Sequence, residues 1–250
     1  MDRLTDATEL LDGPLDDPAT LAGNLRDLRL INERLGGVDL SAAAIDALAA
    51  HRPELSLLDV GTGGADIPIA LLERAAARGR RLSVVGVDSR AEVLAAAVVA
   101  RPELTSTEGL ELHVGDGRSL PYPDGSFDVA HCSLVVHHCT PDEAVSLFRE
   151  MRRVARLGVV VNDLDRRRIG WIGAWLLGHL LTRNRYTRHD APLSVRRAYR
   201  ARETAAMLRA AGLSPVRTIR ASVRQRYAIA AVPTPAPDGD VPPDPQGAGE

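Results

Sequence analysis

The residues most capable of chemistry begin with Gly61-Thr62-Gly63-Gly64, which follows the apolar run Leu57-Leu58-Asp59-Val60 and precedes a stretch of helical periodicity. Glycines at such a turn permit positive backbone dihedrals and let a ligand approach the main chain closely. The helix that follows offers free backbone N–H groups at its start. A dinucleotide fingerprint would continue as Gly-x-Gly-x-x-Gly, but the last of those positions holds Asp66. A carboxylate at a helix N-terminus repels a pyrophosphate, whereas Asp59, just before the turn, suits a cofactor that carries cationic groups. Asp88, with Ser89 beside it, ends the next apolar run and could accept protons from both ribose hydroxyls. Asp116, in Gly115-Asp116-Gly117, follows the third run and could accept from an adenine amino group. Each acid alone could be a helix cap or a turn former. Placed after successive strands, all three fall on the edge of an open α/β sheet where ligands bind.

Histidines supply the second group of candidates. His137-His138 follows the fourth apolar run and His189-Asp190 stands much later. A histidine beside a carboxylate is a base with its orienter; the plainer reading is that these residues cap helices or pack on the sheet. Asn162-Asp163 closes the fifth run, where it either meets substrate or ends the strand. His131 lies within a run and reads as a core histidine. Cys132 and Cys139 read as small buried residues.

These residues need a scaffold, and the apolar pattern describes one. Helices are expected over Pro18 to Leu35, ended by Gly36-Gly37, and from a cap at Ser41 to Ala50. From Leu55 onward strands and helices alternate, with strands at 55–60, 82–87, 110–114, 127–134 and 159–162 and helices at 66–78, 91–101 and 142–156. This order predicts a mostly parallel sheet covered on both faces. Two last strands, at 216–221 and 226–232, are separated by too little chain for a crossover and should form an antiparallel hairpin at the sheet edge. Between them and the fifth strand, residues 166–190 hold Arg166-Arg167-Arg168, then an apolar run with Trp171 and Trp175, then Arg183, Arg185 and Arg188, with a helix over 203–211 beyond. Residues 1–18 read as a loose acidic arm and 233–250 as a disordered tail. The expected division is an arm with helices over 1–52, a ligand-binding domain over 53–232 with an insertion at 166–200, and the tail.

Composition bounds the rest. The 250 residues are 45% hydrophobic but only 3% aromatic, so an aliphatic core is expected. The formal net charge of -2 gives no bias toward nucleic acid or an anionic membrane. All 31 basic residues are arginine, which excludes Schiff-base chemistry and a P-loop lysine. Two cysteines make no disulfide framework and suit a reducing cytoplasm. No metal site is expected, because the His and Asp residues lack ligand-like spacing. No run is long enough to span a bilayer, and the first residues lack a secretory pattern. A monomer or homodimer is expected.

The string Leu58-Asp59-Val60-Gly61-Thr62-Gly63-Gly64 resembles the first motif of class I S-adenosylmethionine-dependent methyltransferases. Val87-Asp88 resembles their acidic second-strand motif and Gly115-Asp116-Gly117 their adenine-side motif, while Leu120 to Val129 is similar to the stretch entering their fourth strand. Ala65 stands where the family usually has a third glycine. The resemblance covers roughly residues 55 to 165. It implies a Rossmann-like α/β fold with a seven-stranded, mostly parallel sheet, N-terminal helices and a helical cap after the fifth strand. It implies S-adenosylmethionine as cofactor, released as S-adenosylhomocysteine and contacted by Asp59, Gly61, Thr62, Gly63, Asp66, Asp88, Ser89, Asp116, Gly117 and Ser133. It places His137 or His138 near the acceptor, as base candidates with His189, and Asn162, Asp163, Trp171 and Trp175 on the acceptor side. A phenol or alcohol is a poor nucleophile that benefits from a base, so O-methylation of a small aromatic, polyketide-like or lipid-like metabolite is the first expectation. C-methylation of a quinone-type ring is the alternative within the class, and a Rossmann oxidoreductase or a non-catalytic cofactor-binding module the alternatives outside it. Nucleic acid is not an expected partner.

Overall fold

Consecutive buried pairs run through the centre of the chain: Leu57 with Leu58, Val129 with Ala130, Val160 with Val161, Ala228 with Ile229. In a strand, neighbours point to opposite faces, so pairs apolar at both positions describe a sheet covered on both sides. The computed structural model, which describes residues 1–15, 17–180, 182–221 and 225–235, has that arrangement. Leu58, Ala130, Val161 and Ile229 pack with Phe148 and Leu208 on one face. Leu57, Val129, Val160 and Ala228 pack with Ile45 and Leu71 on the other.

The sheet comprises β1 (Glu54–Val60), β2 (Arg81–Asp88), β3 (Leu110–Val114), β4 (Phe127–Ser133), β5 (Ala155–Leu164), β6 (Leu213–Ala221) and β7 (Arg226–Pro233), in the order β3-β2-β1-β4-β5-β7-β6. β1 to β5 are mutually parallel. β7 runs antiparallel to both β5 and β6, as the short β6–β7 link requires. The ends of β1, β2, β4 and β5 therefore carry Asp59, Asp88, Ser133 and Asn162-Asp163 to one edge. The helices are α1 (Pro18–Arg34), α2 (Gly37–Ala49), α3 (Asp66–Ala77), α4 (Ala91–Ala100), α5 (Pro141–Val154), α6 (Arg168–Leu180), α7 (Arg185–Arg197) and α8 (Ala201–Ala210).

Local chemistry sets the helix boundaries. Asp17 accepts from the Ala19 and Thr20 backbone N–H groups at the start of α1, with Pro18 at its first position. Thr140 and Glu143 form a capping box on α5. Asn184 caps α7 through Tyr186 and Thr187. Gly36 adopts a left-handed φ of 76° and turns the chain directly from α1 into α2. Ser41 is consequently not a cap: α2 begins at Gly37, and Ser41 faces the core from inside the helix.

The N-terminal arm also differs from expectation, because it is docked. Leu4 N–H donates to Arg196 O, and Leu10 and Leu11 N–H donate to the two carboxylate oxygens of Asp190. Arg90 Nη1 reaches Leu11 O and Gly13 O, while Arg3 lies over the Tyr199 ring and donates to Arg197 O. Hydrogen bonds that satisfy main-chain groups at both ends of the arm outweigh its turn-rich composition. The segment after β5 is two helices, α6 and α7, and α7 packs against α1 and the arm. The expected disordered tail from 233 begins in the last residue of β7, and its positions 236–250 lie outside the described residues. Among the described residues no helix is long and apolar enough to cross a membrane.

Gly158, in β5, tests the edge pairing. Its φ is +156°, and a Cβ there would stand 2.3 Å from Ala231 O in β7. Gly158→Ala should destabilise the fold by about 1–3 kcal/mol or more, read as a lower midpoint in chemical denaturation. An unchanged midpoint would show that the β5–β7 contact is looser than described.

Candidate functional site

The turn after β1 is held by the strand beside it. Gly61 and Thr62 N–H both donate to Val87 O, at 2.7 and 3.0 Å. Gly63 N–H donates to Asp88 Oδ2 at 2.9 Å, and Asp88 Oδ1 accepts from Arg90 N–H. Gly61, Gly63 and Ala65 all have positive φ. At Gly61 this conformation is essential, since a Cβ would lie 2.3 Å from Val135 Cγ2. At Gly63 a Cβ would meet nothing within 4 Å, so the crest of the turn is open to a ligand. Ala65 accepts a left-handed φ of 53°, at a cost of about 1–2 kcal/mol.

Acids crowd around this turn. Burial, above all, and then the neighbouring Asp59 charge hold Asp88 and Asp66 above the usual carboxylate range, against the hydrogen bonds that favour their ionised forms. Asp66 Oδ2 accepts from Asn32 of α1 at 2.7 Å. Thr62 Oγ1 is buried with no hydrogen-bond partner. An open glycine crest, an orphaned hydroxyl and acids that repel one another fit a polar ligand with positive charge. Farther along the edge, Asp116 is exposed and held below the usual range chiefly by its bond to Arg118. Gly117 is required beneath it, since a Cβ would come 2.4 Å from Val60 Cγ1. Ser89 is exposed beside Asp88.

Asp59 has a second allegiance. Its Oδ1 lies 2.6 Å from His131 Nδ1, and His131 Nε2 lies 2.8 Å from Ser41 Oγ. This Ser–His–Asp sequence of contacts is sealed in the core, with Ser41 and His131 fully buried, so it holds α2 against β4 and β1 and cannot meet a substrate. Asn162 continues the network: its Nδ2 donates to Gly37 O and Ser41 Oγ, and its Oδ1 accepts from Arg226 Nε. Asn162 is therefore a core residue and not an acceptor contact. Arg226 also donates to Asn32 and Ser133, and burial lowers its pKa to about 10.

On the β4–β5 side each of three histidines faces a carboxylate with Nδ1. His137 Nδ1 lies 2.7 Å from Asp163 Oδ1, and His189 Nδ1 lies 2.7 Å from Asp190 Oδ1. His138 Nδ1 lies 2.8 Å from Asp12 Oδ1 but out of line for a good hydrogen bond, so that nitrogen is left under-satisfied. Burial opposes ionisation of Asp163, yet the His137 charge and hydrogen bonds hold it below the usual range. His137 is buried, His138 partly exposed, and His189 half exposed. Glu9, from the arm, enters between His137 and His138; burial raises its pKa to about 7. Burial also raises both thiols, Cys139 to about 11, which removes them as nucleophiles.

Trp171 and Trp175 lie on α6, 37% and 43% exposed, and α6 rests on α7. They are surface residues, Trp175 stacking on His179. A small hollow between α2, α3 and the first residues of β1 and β2 lies at the opposite edge of the sheet from these groups. Sequence reasoning missed Glu9, Asp12, Asn32 and Arg226, most of whose partners are remote in the chain.

Residues 58–161 match a family described as a methyltransferase domain. An uncharacterised methyltransferase of Synechocystis is 29% identical over 80 residues, which cover 32% of this chain and 35% of that protein. This chain thus spans about a third of that relative. A S-adenosylmethionine-dependent methyltransferase of Aquifex aeolicus shares the fold with a TM-score of 0.59 at 17% identity, over 87% of this chain and 98% of that one. Magnesium protoporphyrin IX methyltransferase of Synechocystis, with S-adenosylhomocysteine bound, aligns with a TM-score of 0.57 at 19% identity, over 89% of this chain and 90% of that one. Given the clash at Gly61, Gly61→Ala should weaken S-adenosylhomocysteine binding at least about tenfold in calorimetric titration, with the circular dichroism spectrum kept. Unchanged affinity would move the cofactor away from this turn.

Proposed function

We propose, from the premise that the chain is a class I S-adenosylmethionine-dependent methyltransferase, that it methylates a hydroxyl of a small aromatic or lipid-like acceptor with His189 as general base. The observation that carries this reading is the His189–Asp190 pair. Asp190 is buried and fixed by Leu10 and Leu11 N–H, and it accepts from His189 Nδ1 at 2.7 Å. That contact assigns the proton to Nδ1 and leaves Nε2 as the basic nitrogen on a half-exposed ring. His137 and His138 are less suited, because Glu9 occupies the space before both of their Nε2 atoms.

Asp59, Asp88 and the turn from Gly61 to Gly63 would hold the cofactor, with Asp66, Ser89, Asp116, Gly117 and Ser133 along the same edge. Bound there, it supplies a methyl group on a sulfonium that already carries its leaving group. What remains for the protein is positioning, water exclusion and one proton transfer. His189 Nε2 would take the hydroxyl proton as the acceptor oxygen becomes nucleophilic, and the Asp190 carboxylate would stabilise the resulting imidazolium. The apolar side chains that α6 leaves exposed beyond α7, Ile169, Trp171, Ile172 and Trp175 among them, favour an apolar acceptor over a highly charged one.

Incubation of the protein with methyl-labelled cofactor and a metabolite extract, followed by identification of the labelled product, tests the reaction class. With that product in hand, His189→Ala should lower kcat by about 10²- to 10⁴-fold while S-adenosylhomocysteine binding is kept. Full rates in both His189→Ala and His138→Ala would overturn base-assisted O-methylation and favour an activated carbon acceptor.

A further inference from the structure

Glu9, His137 and His138 meet although the first comes from the N-terminal arm and the others from the turn after β4. Glu9 Oε1 lies 3.9 Å from His137 Nε2, and Glu9 Oε2 lies 3.9 Å from His138 Nε2. One donor atom from each residue falls within 4.8 Å of the others. At 3.9 Å the carboxylate is bonded to neither imidazole. Three donors thus face a common gap and leave it unfilled by their own contacts.

We propose that Glu9, His137 and His138 form a binding site for a divalent transition-metal ion, with ligands from one carboxylate oxygen and the two Nε2 atoms. Imidazole with carboxylate suits zinc, iron, cobalt and nickel better than magnesium or calcium, which take oxygen donors. Ligands about 2.1 Å from a tetrahedral ion are about 3.4 Å apart, and the donors here lie within 4.8 Å of one another, so side-chain rotations that draw the trio together by up to about 1.4 Å would close it on an ion. The surroundings are those of a ligating pair of histidines. A metal-bound imidazole characteristically gives its other ring nitrogen to a carboxylate, which fixes the ring and raises its basicity. His137 does so with Asp163 at 2.7 Å, and His138 has the Asp12 carboxylate 2.8 Å from its Nδ1, out of line for a good hydrogen bond as the ring now stands. Glu9 is itself oriented, by Ser194 Oγ at 2.8 Å and Arg197 Nη1 at 3.4 Å.

Charge points the same way. Around the gap stand the carboxylates of Glu9, Asp12, Asp163 and Asp190, set against the guanidiniums of Arg197, which contacts Glu9 and Asp12, of Arg3, which donates to His137 O, and of Arg226, near Asp163. A divalent cation would offset the excess. Glu9 and His137 are sealed, while His138 is 29% exposed, so the site is closed on the protein side and reachable from one direction. This inference does not depend on the acceptor or on the choice of base, because binding alone is its readout.

The test uses the full-length protein freed of metal by a chelator. Equilibrium dialysis against Co²⁺ and Zn²⁺ with elemental analysis should find about one ion per chain, and the Co²⁺ form should show visible ligand-field absorption. His138→Ala and Glu9→Gln should each weaken binding tenfold or more, whereas His179→Ala, on the exposed face of α6, should bind as the wild type does. Where Glu9→Gln fails to fold, NMR of the wild type decides: Zn²⁺ should shift the imidazole resonances of His137 and His138 ahead of those of His113 and His179. Absence of stoichiometric binding, or binding that survives His138→Ala with those resonances unmoved, would overturn the site.

Discussion

Arg226 is a guanidinium sealed from water in the first position of β7, and the ligand edge is organised around satisfying it. A buried cation is tolerated only when its donors are used and opposite charge lies near. Its donors go to Asn162 on β5, Ser133 on β4 and Asn32 on α1, and the charges of Asp163 and Asp66 lie close enough to support it. Asn32 passes the connection to Asp66, the first residue of α3 beyond the glycine turn. Asn162 passes it to Ser41, and through His131 to Asp59. One cation therefore joins the antiparallel part of the sheet to both flanks of the glycine turn. Gly37 is small for the same reason: a Cβ there would come within 2.8 Å of Arg226 Nη1 and 2.6 Å of Asn32 Oδ1.

The network gives the ligand edge its asymmetry. Where Asp59, Asp66 and Asp88 approach one another, burial and mutual repulsion favour an incoming positive charge. On the β4–β5 side the carboxylates are instead spent on histidines and on the arm. Asp190 shows how much one carboxylate can do there, since it fixes the backbone of Leu10 and Leu11 and orients His189 at once. The arm is thus a wall of the site and not an appendage. Arginines secure it, with Arg90 Nη1 reaching two carbonyls and Arg197 Nη1 two carboxylates.

The sheet was legible in the sequence because its signal is local. Runs such as Leu82 to Val87 and Val159 to Val161 are apolar at consecutive positions, and Gly, Asp and Pro punctuate them. The glycine turn was legible for the same reason, and so was His131 as a core residue, since it sits among apolar neighbours within a strand. Asn162 was misread because position at a strand end suggested the ligand edge, while its amide is consumed by Gly37 and Ser41, far back in the chain. Glu9, Asp12, Asn32 and Arg226 carried no signal, since each derives its role from two or more remote partners and none belongs to a periodic pattern. The docked arm was misread because its composition is that of a loop, and composition does not register hydrogen bonds to α7.

The stretch shared with the methyltransferase family ends at residue 161, and that boundary divides the site. Asp59, the glycine turn, Asp88 and Asp116 lie inside it. His137 and His138 also lie inside it, but every carboxylate they face lies outside: Asp163 and, from the arm, Glu9 and Asp12. His189 and Asp190 are outside altogether. The two segments that flank the matched stretch, the arm and α7, are made a single unit by their mutual contacts, Leu4 with Arg196, Leu10 and Leu11 with Asp190, Glu9 with Ser194. The residues that match the methyltransferase domain and the residues that join the arm to α7 are therefore different ones.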